Sequence, residues 1–255
     1  MSQTFRQPEI LDLVRRDGKV TVEGLAEHFG VTLQTIRRDL SDLAEAGRLE
    51  RVHGGAVLAS STTNIGYAER RSLNTEAKAR IARACARLIP GNISLFLNIG
   101  TSTEAVAHEL IHHQGLMVVT NNMNVANILV ANDNCRIIVA GGDLRRADGG
   151  LVGSIAETSI LQFKFDLAVI SCSALDQDGD ILDFDLDEVR VSRAIIRQSR
   201  RVILVADHTK FTRTAPAKIA SLADVDVFVT DRALPAPLAE ACRGWSTDVL
   251  VATPD

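Results

Sequence analysis

The sequence predicts an α/β protein of two domains, in which a small helical domain with a β-hairpin precedes a larger, mostly parallel α/β domain. Residues 1–58 hold three segments with helical hydrophobic spacing and then an extended stretch around paired glycines. Residues 59–64 are small and polar, as domain boundaries often are. Short apolar runs then alternate with helical segments, which is typical of parallel sheets. We therefore expect domains at 1–58 and 76–255, joined by a linker at 59–75.

The composition fits a folded protein of this size. The 255 residues are 46% hydrophobic and 24% charged, with a net charge of −4. No apolar run approaches the roughly 20 residues that a membrane-spanning helix needs, and the first residues lack the features of a signal peptide. The four cysteines form no Cys-x-x-Cys pair, so we expect reduced thiols, no metal site and no cofactor. We expect a cytoplasmic protein without a membrane partner.

Glycines and threonines divide the start of the chain into three predicted helices. The helical pattern that includes Phe5 ends at Gly18, and Thr21 can cap a second helix that ends at Gly30. Thr32 can cap the third helix. A bracing helix, a tight glycine turn and a longer helix in this order are the arrangement of a helix-turn-helix.

The third predicted helix has an apolar side and a side suited to DNA. Leu33, Ile36 and Leu40 recur at helical spacing and are predicted to face the core. The polar side chains of its first turns can reach base edges and phosphates in a major groove. These predicted DNA contacts are Thr32, Gln34, Thr35, Arg37, Arg38 and Ser41. Taken alone, the pattern also fits a solvated face or a protein-interaction helix.

The segment after the third helix changes to extended spacing. Two extended runs flank a turn at His53-Gly54-Gly55, which predicts a hairpin wing. A wing beside a recognition helix contacts the DNA backbone or minor groove, so Arg48, Arg51 and His53 are predicted DNA contacts. Residues 1–58 hold eight basic and nine acidic residues, so the placement of the basic ones matters more than their number.

The larger domain alternates predicted strands with helices. Continuously apolar runs separated by helical segments indicate a mostly parallel sheet that helices cover on both faces. Strands are predicted at residues 93–97, 116–120, 136–140, 167–171, 202–206, 225–230 and 249–252. Helices are predicted near residues 76–88, 104–111, 124–131, 155–162 and 187–198. Ligands of such sheets bind at the carboxyl ends of the strands.

The first of these strand ends has the residues of an anion site. Gly100 lets the backbone approach a ligand. Thr101, Ser102 and Thr103 then place three hydroxyls where the next helix begins. Free N–H groups and the helix dipole favour an anion there, and phosphate fits best. A capping box formed by Thr101 and Glu104 would explain the same spacing without a ligand.

Other strand ends add polar residues of lower specificity. They are Asn121, Arg145, Asp176 and Lys210. Loop structure or surface charge explains any one of them, but their convergence at one sheet edge predicts a ligand-binding pocket. Arg70, Arg71 and Lys78 flank the linker, and we expect them to be solvated.

Two motifs of the first domain together resemble a known bacterial family. Thr35-Ile36-Arg37-Arg38-Asp39-Leu40, followed by Arg51-Val52-His53-Gly54-Gly55-Ala56, is similar to the N-terminal signature of DeoR-type repressors. The resemblance implies a winged helix-turn-helix that binds double-stranded operator DNA. It disfavours the protein-interaction helix.

The second domain resembles the sensor domain of the same family. The matching residues point to a branch that responds to glycerol 3-phosphate, and they lie at 105–108, 120–122, 124–127, 148–150 and 184–185. The family's sensor domain resembles the ribose-5-phosphate isomerase and coenzyme A transferase fold. The resemblance implies that Gly100 to Thr103 bind phosphate. It also implies that Asp176, Glu188 and Lys210 lie near the rest of the effector.

Three positions depart from the family pattern. Asn98 stands where these repressors commonly have Asp, and Ser171 and Ala174 replace expected glycines. Because side chains there could reshape the pocket, the class of effector is better defined than its identity.

The leading hypothesis is a transcriptional repressor that a phosphorylated metabolite, with glycerol 3-phosphate as the first candidate, releases from its operator. Repeated operator half-sites imply a homodimer or homotetramer. One alternative is the same class of repressor responding to another sugar phosphate. A second is a sugar-phosphate isomerase with Glu188 as general base, although no further catalytic motif accompanies it. We expect no enzymatic activity.

Overall fold

The computed structural model describes residues 3–58 and 62–253. Residues 59–61 of the predicted linker and the first two residues lie outside the described part. The N-terminal unit has three helices and a three-stranded antiparallel sheet in which the third strand is central. Its elements are α1 (Gln3–Asp17), β1 (Lys19–Thr21), α2 (Val22–Phe29), α3 (Leu33–Glu45), β2 (Leu49–Val52) and β3 (Gly55–Leu58). The predicted winged helix-turn-helix is confirmed.

Local signals set the limits of these helices as predicted. The Thr21 hydroxyl accepts a hydrogen bond from Gly24 N, and the Thr32 hydroxyl accepts one from Thr35 N. Gly30 ends α2 with a φ of 62°, a left-handed conformation that glycine adopts without strain. Because α3 begins directly after this turn, the turn sets the angle between the two helices.

Apolar side chains of the three helices form the core of this unit. Ile10, Ile36 and Leu40 are fully buried, as the helical spacing predicted for the last two. The prediction was wrong for Leu33, which remains 40% exposed. Leu33 is the first residue of α3 and lies beside the exposed turn, where the other helices do not cover it.

The second unit is built on a parallel sheet of seven strands, as predicted. Its strands in chain order are β4 (Ser94–Leu97), β5 (Leu116–Thr120), β6 (Cys135–Val139), β7 (Asp143–Arg145), β8 (Gly150–Val152), β9 (Leu167–Ile170), β10 (Ala174–Leu175), β11 (Asp180–Asp183), β12 (Val202–Val205), β13 (Ala217–Ser221), β14 (Val227–Thr230) and β15 (Asp248–Val251). The large sheet has the order β15-β14-β12-β9-β4-β5-β6, and every adjacent pair is parallel. Every carboxyl end of the seven strands therefore points to one edge.

Helices cover both faces of this sheet. They are α4 (Tyr67–Ser72), α5 (Thr75–Ala86), α6 (Thr101–Glu109), α7 (Met123–Leu129), α8 (Gly153–Ile160), α9 (Leu186–Arg197) and α10 (Ala236–Trp245). One apolar layer joins α5, α6 and α7 to the sheet, and the other joins α8, α9 and α10 to the opposite face. No helix within the described ranges is long and apolar enough to cross a membrane.

Five short strands and two helices were not predicted. β7 pairs with β8, and β10, β11 and β13 form a separate small sheet. These strands have two to five residues, so they carry no apolar run long enough to be recognised. α4 lies inside the predicted linker, where the sequence shows no helical stripe.

The two units contact each other at the end of α3 and along β2. A Cβ at Gly47, just beyond α3, would lie 3.5 Å from the carbonyl oxygen of Thr212. Thr212 ends a short 3₁₀ helix, His208–Thr212, that follows β12. The end of the recognition helix therefore packs against a loop at the carboxyl edge of the large sheet.

Candidate functional site

The predicted DNA contacts of α3 form one exposed polar surface. Gln34, Arg37 and Arg38 are exposed, and neither arginine has a salt bridge with any residue in the described ranges. Thr32 and Ser41 are also exposed, and Thr35 is half-buried. Hydrogen bonds hold the smaller side chains to the helix, since Ser41 Oγ donates to the carbonyl oxygen of Arg37 at 2.8 Å. The long side chains remain available to base edges and phosphates.

The three predicted contacts of the wing differ in exposure. Arg48 and His53 are exposed. Arg51 is half-buried, and its Nη1 donates to the carbonyl oxygen of Arg37 at 3.1 Å. Burial, together with the charge of Arg37, lowers the pKa of Arg51. Arg51 therefore braces the wing against α3.

A buried ion pair fixes the inner side of the recognition helix. Arg6 Nε donates to Asp39 Oδ2 at 2.8 Å, and both side chains are almost fully buried. Asp39 follows Arg37 and Arg38 in α3, so its anchorage on α1 sets which side of α3 faces outward. The sequence reading placed neither Arg6 nor Asp39 in this role.

α6 begins directly at the predicted phosphate loop. Gly100 has a φ of 144°, a conformation that favours glycine. The hydroxyls of Thr101 and Ser102 make no hydrogen bond with the described residues. Thr103 Oγ1, by contrast, lies 2.7 Å from the carbonyl oxygens of Asn98 and Gly100. Thr101 thus lines the cavity with a free hydroxyl, Ser102 is buried, and Thr103 holds the loop.

The alternative capping box is not formed. The Glu104 carboxylate instead accepts hydrogen bonds from Tyr67 Oη at 2.8 Å and from Asn124 Nδ2 at 3.0 Å. It also accepts one from Asn122 Nδ2 at 3.2 Å. Burial and the hydrogen bond to Glu104 raise the pKa of Tyr67 to about 12. Glu104 therefore joins α4 to α6 and α7, and the first turn of α6 is left open to an anion.

Two of the departures from the family pattern surround Gly100. Ser171 Oγ donates to the carbonyl oxygen just before Gly100 at 3.0 Å, and a Cβ at Gly100 would collide with this hydroxyl. Asn98 Nδ2 donates to Ser192 Oγ at 2.9 Å, so a carboxylate at position 98 would require Ser192 to donate instead. Ala174, the third departure, is fully buried in β10. Ser171 thus narrows the loop, whereas Asn98 redirects one hydrogen bond.

Three basic side chains lie within electrostatic reach of the buried Lys78. This basic cluster consists of Arg70, Lys78, Lys210 and Arg213. Lys78 is only 6% exposed and lines the same cavity as Thr101. Burial lowers the pKa of Lys78 to about 8, and the other three basic charges add to this effect against the opposing charge of Asp207. The prediction that Lys78 is solvated was wrong, because the unpredicted α4 covers it.

Acidic neighbours accompany the basic cluster, but burial still lowers the pKa of both of its lysines. Burial, followed by the charge of Arg213, lowers the pKa of Lys210 despite the neighbouring Asp207. Arg70 Nη2 lies 3.5 Å from Asp148 Oδ2, at the margin of a hydrogen bond. An anion that entered between these side chains would relieve their mutual repulsion. Lys210, predicted from the strand end, is therefore a buried cation within electrostatic reach of Arg213 and Asp207.

Arg145 and Glu188 are brought together in a dense ion-pair network. Arg145 Nη2 lies 2.6 Å from Glu188 Oε2 and 2.7 Å from Asp148 Oδ2, and its Nη1 lies 2.6 Å from Asp185 Oδ2. Burial and the nearby Asp183 raise the pKa of Glu188 to about 7, although Arg145 opposes the shift. Arg145 is already engaged by three carboxylates, so the network links the end of β7 to the start of α9.

The remaining two predicted effector residues, Asn121 and Asp176, make structural hydrogen bonds to the backbone. Asn121 Nδ2 donates to the carbonyl oxygen of Leu151 at 3.1 Å and ties β8 to the end of β5. Asp176 Oδ1 accepts hydrogen bonds from the backbone N–H groups of Asp178 and Asp180. The structure does not bring Asp176 to the other predicted effector residues, because it closes the unpredicted β10–β11 hairpin.

A cavity of about 420 Å³ opens between α4, α5, α6 and α7. Thr101, Lys78 and Tyr67 line it, together with His108 and Asn127. The sequence reading did not assign Tyr67, Lys78, His108 or Asn127 to the pocket. The motif matches at 105–108 and 124–127 contain two of these residues and were the signal that could have found them.

An exposed DNA-reading surface joined to a pocket for a small anion defines a ligand-responsive transcriptional regulator. Residues 6–62 match the DeoR-like helix-turn-helix domain, and residues 73–232 match the DeoR C terminal sensor domain. The chain belongs to the DeoR family.

Curated relatives cover nearly the whole chain. It is 49% identical over 231 residues to the glycerol-3-phosphate regulon repressor of Escherichia coli strain K12, which covers 91% of this chain and 92% of that protein. It is 45% identical to the glycerol-3-phosphate regulon repressor of Haemophilus influenzae, with 90% of each chain covered. The chain is accordingly a transcriptional repressor with a DNA-binding domain and a sensor domain, and it is not an enzyme.

Solved structures resemble the chain weakly. Ribose 5-phosphate isomerase A from Neisseria gonorrhoeae is 10% identical, with a TM-score of 0.39, and the match covers 60% of this chain and 56% of that chain. The α/β architecture of the sensor domain is established by its own strand order and by the family match.

Proposed function

We propose that the chain represses a carbon-catabolism operon and leaves its operator when a phosphorylated metabolite occupies the sensor domain. The observation that carries the class of effector is the basic cluster beside Thr101 and Ser102. Buried cations, free hydroxyls and a helix N terminus together favour a phosphate group. The names of the two glycerol-3-phosphate regulon repressors make glycerol 3-phosphate the first candidate, ahead of another sugar phosphate.

On the DNA side, we assign base recognition to the long exposed side chains of α3. Gln34, Arg37 and Arg38 can reach the major groove, and Arg48 and His53 can reach phosphates beside it. The other predicted contacts position these residues, and they are Thr32, Thr35, Ser41 and Arg51. Repeated operator half-sites would require two or four copies of the chain, so a cytoplasmic homodimer or homotetramer completes the proposal.

The division of the chain at 1–58, 59–75 and 76–255 is part of the same proposal. α4 lies within the connecting segment and contributes Tyr67 to the cavity. Lys19 of β1 lies 3.2 Å from Glu69 of α4, so this segment contacts both units. The connecting segment therefore lines the cavity as well as joining the two domains.

Operator release by a panel of phosphates tests the proposed function. Fluorescence anisotropy of labelled operator DNA would be followed while glycerol 3-phosphate, ribose 5-phosphate, inorganic phosphate and unphosphorylated glycerol are added. We expect glycerol 3-phosphate to release the DNA at the lowest concentration and glycerol to have no effect. Release by another phosphate alone would support a phosphorylated effector and exclude glycerol 3-phosphate. Release by none of the phosphates would overturn the proposal.

A further inference from the structure

The connecting helix α4 forms one side of the cavity and carries a free cation. Arg71 lies in the last turn of α4 and lines the cavity together with Lys78 and Thr101. As the sequence predicted, Arg71 is exposed, and its guanidinium makes no hydrogen bond or salt bridge with any residue in the described ranges. An arginine side chain has five N–H donors in a planar fork. These donors are therefore available to a ligand in the cavity.

One hydrogen bond places the buried Lys78 beside Arg71. Lys78 Nζ of α5 donates to the carbonyl oxygen of Arg70, which belongs to the peptide bond between Arg70 and Arg71. An ammonium group has three N–H donors, so two remain after this bond. Lys78 is almost fully buried, so water has little access to these donors. The second cation of the cavity is thus held next to the backbone of the first.

A second hydrogen bond holds α4 against the start of α6. Tyr67 Oη donates to Glu104 Oε2 at 2.8 Å. Arg71 follows Tyr67 by four residues and therefore lies on the same face of α4. Thr101 precedes Glu104 by three residues and shares its face of α6. Because all four side chains line the cavity, the guanidinium of Arg71 and the free hydroxyl of Thr101 face the same space.

The carboxylates of the cavity leave these donors unpaired. The oxygens of Glu104 already accept hydrogen bonds from one tyrosine and two asparagine side chains. Glu109 also lines the cavity, but it is exposed and lies five residues further along α6, which is about 7 Å at the helical rise. The end of the cavity at Thr101 therefore has an excess of hydrogen-bond donors, and such an excess favours an anion.

We propose that Arg71 binds the phosphate group of the effector together with Lys78 and Thr101. This inference rests on the proposed function, and it places the phosphate between α4, α5 and the start of α6. A guanidinium binds a phosphate through two parallel hydrogen bonds, to which an ammonium and a hydroxyl add further donors. The first turn of α6, which begins at Thr101, also presents free backbone N–H groups.

The helix that carries Arg71 also contacts the DNA-binding unit. Glu69, two residues before Arg71, lies 3.2 Å from Lys19 of β1. Both side chains of this pair are partly exposed, so the pair contributes little to stability and can break without a large cost. A phosphate held by Arg71 therefore acts on a helix that contacts both units.

Phosphate binding to the full chain tests the role of Arg71. Arg71→Gln should bind inorganic phosphate and glycerol 3-phosphate more weakly, each by about tenfold in isothermal titration calorimetry, because the lost contact is to the group that they share. Arg71→Lys keeps the charge without the planar fork and should lose less affinity. The matched control is Arg87→Gln, which removes an exposed arginine at the end of α5 that lines a different cavity. The control should change neither affinity by more than about twofold.

Unchanged affinity of Arg71→Gln for both ligands would overturn the assignment. A loss for glycerol 3-phosphate alone would also reject it, because Arg71 would then contact the glycerol part. An equal loss in Arg87→Gln would show a general charge effect instead, and thermal unfolding would confirm that each variant is folded. The proposed function is judged on the unaltered protein. Operator release there, together with unchanged affinity in Arg71→Gln, would reject only the role of Arg71, whereas no phosphate binding by the unaltered protein would reject both.

Discussion

At the scale of single residues, burial decides what each basic side chain does. Arg37 and Arg38 are exposed on α3, where their charges face solvent and can attract DNA. Lys78 is almost fully buried, and its pKa is lowered to about 8. The repulsion within the basic cluster is a cost that an arriving anion relieves. In the proposed function, this relief favours a negatively charged effector before any particular sugar is recognised.

Replacing Arg38 tests base recognition. Arg38→Ala should lower the preference for operator over unrelated DNA by about 1–3 kcal/mol, because one bidentate base contact is lost. Gel-shift titrations with both DNAs at fixed salt would measure it. Arg15→Ala is a suitable control, since Arg15 lies at the exposed end of α1 and pairs with Asp12. An unchanged preference for operator DNA in Arg38→Ala would show that Arg38 does not recognise bases.

Proton uptake tests the role of Lys78. Its pKa is near 8 in the free protein, and a bound phosphate dianion would raise it. Binding at pH 8 to 9 should therefore take up protons, and the uptake should fade below pH 7, where Lys78 is already charged. Calorimetry in buffers of different ionisation enthalpy measures the number of protons taken up on binding. Lys78→Arg should reduce the uptake, and an undiminished value would exclude Lys78 as its source.

At the scale of secondary structure elements, single contacts fix how helices and loops are placed. α3 presents its reading face because Asp39, on the opposite side, is paired with Arg6 of α1. The loop before α6 keeps its shape because Gly100 leaves room for Ser171. Each arrangement depends on one buried contact, so each predicts a large effect from one substitution.

Breaking the buried pair should destabilise the DNA-binding unit. Asp39→Ala removes a buried hydrogen-bond acceptor of Arg6, so we expect a loss of about 1–3 kcal/mol in the free energy of unfolding. Urea denaturation followed by circular dichroism would measure the change. Asp12→Ala removes an exposed carboxylate of α1 and should cost less than about 0.5 kcal/mol. Similar losses for the two variants would contradict the assigned role of Asp39.

A side chain at Gly100 should disturb the phosphate loop for two separable reasons. Gly100→Ala should cost about 1–3 kcal/mol of stability, because a φ of 144° strains any residue with a Cβ. Collision with Ser171 should add to this cost. Ser171→Gly in the same chain should recover only the second part, as measured by denaturant unfolding. No recovery at all would show that Ser171 does not crowd the loop.

At the scale of the whole molecule, the sensor and DNA-binding units share a contact that lies next to both functional surfaces. The end of α3 packs on the loop at Thr212, and the buried Glu50–Arg213 pair lies beside it. The carboxyl edge of the sheet is therefore in direct contact with the end of the recognition helix and with the wing. The arrangement suits a repressor whose DNA affinity depends on a small molecule.

Reciprocal affinities test this coupling. If glycerol 3-phosphate weakens operator binding by a given factor, operator DNA must weaken glycerol 3-phosphate binding by the same factor, on the order of 5–150. Calorimetric titrations with and without operator would compare the two values, with an unrelated duplex as the control. An effector affinity that is the same with and without operator would show that the two sites are uncoupled.

The sequence by itself determined the elements whose signals are local or periodic. Thr32 and Gly30 fixed the start of α3 and the turn before it, and long apolar runs identified all seven strands of the large sheet. The hydroxyl loop at Gly100 was also readable, since it depends on consecutive residues. Only the tertiary structure decided which charges are buried and which meet. Lys78 and Arg213 join Lys210 because α4 and the parallel sheet bring distant segments together, and no spacing along the chain encodes that proximity.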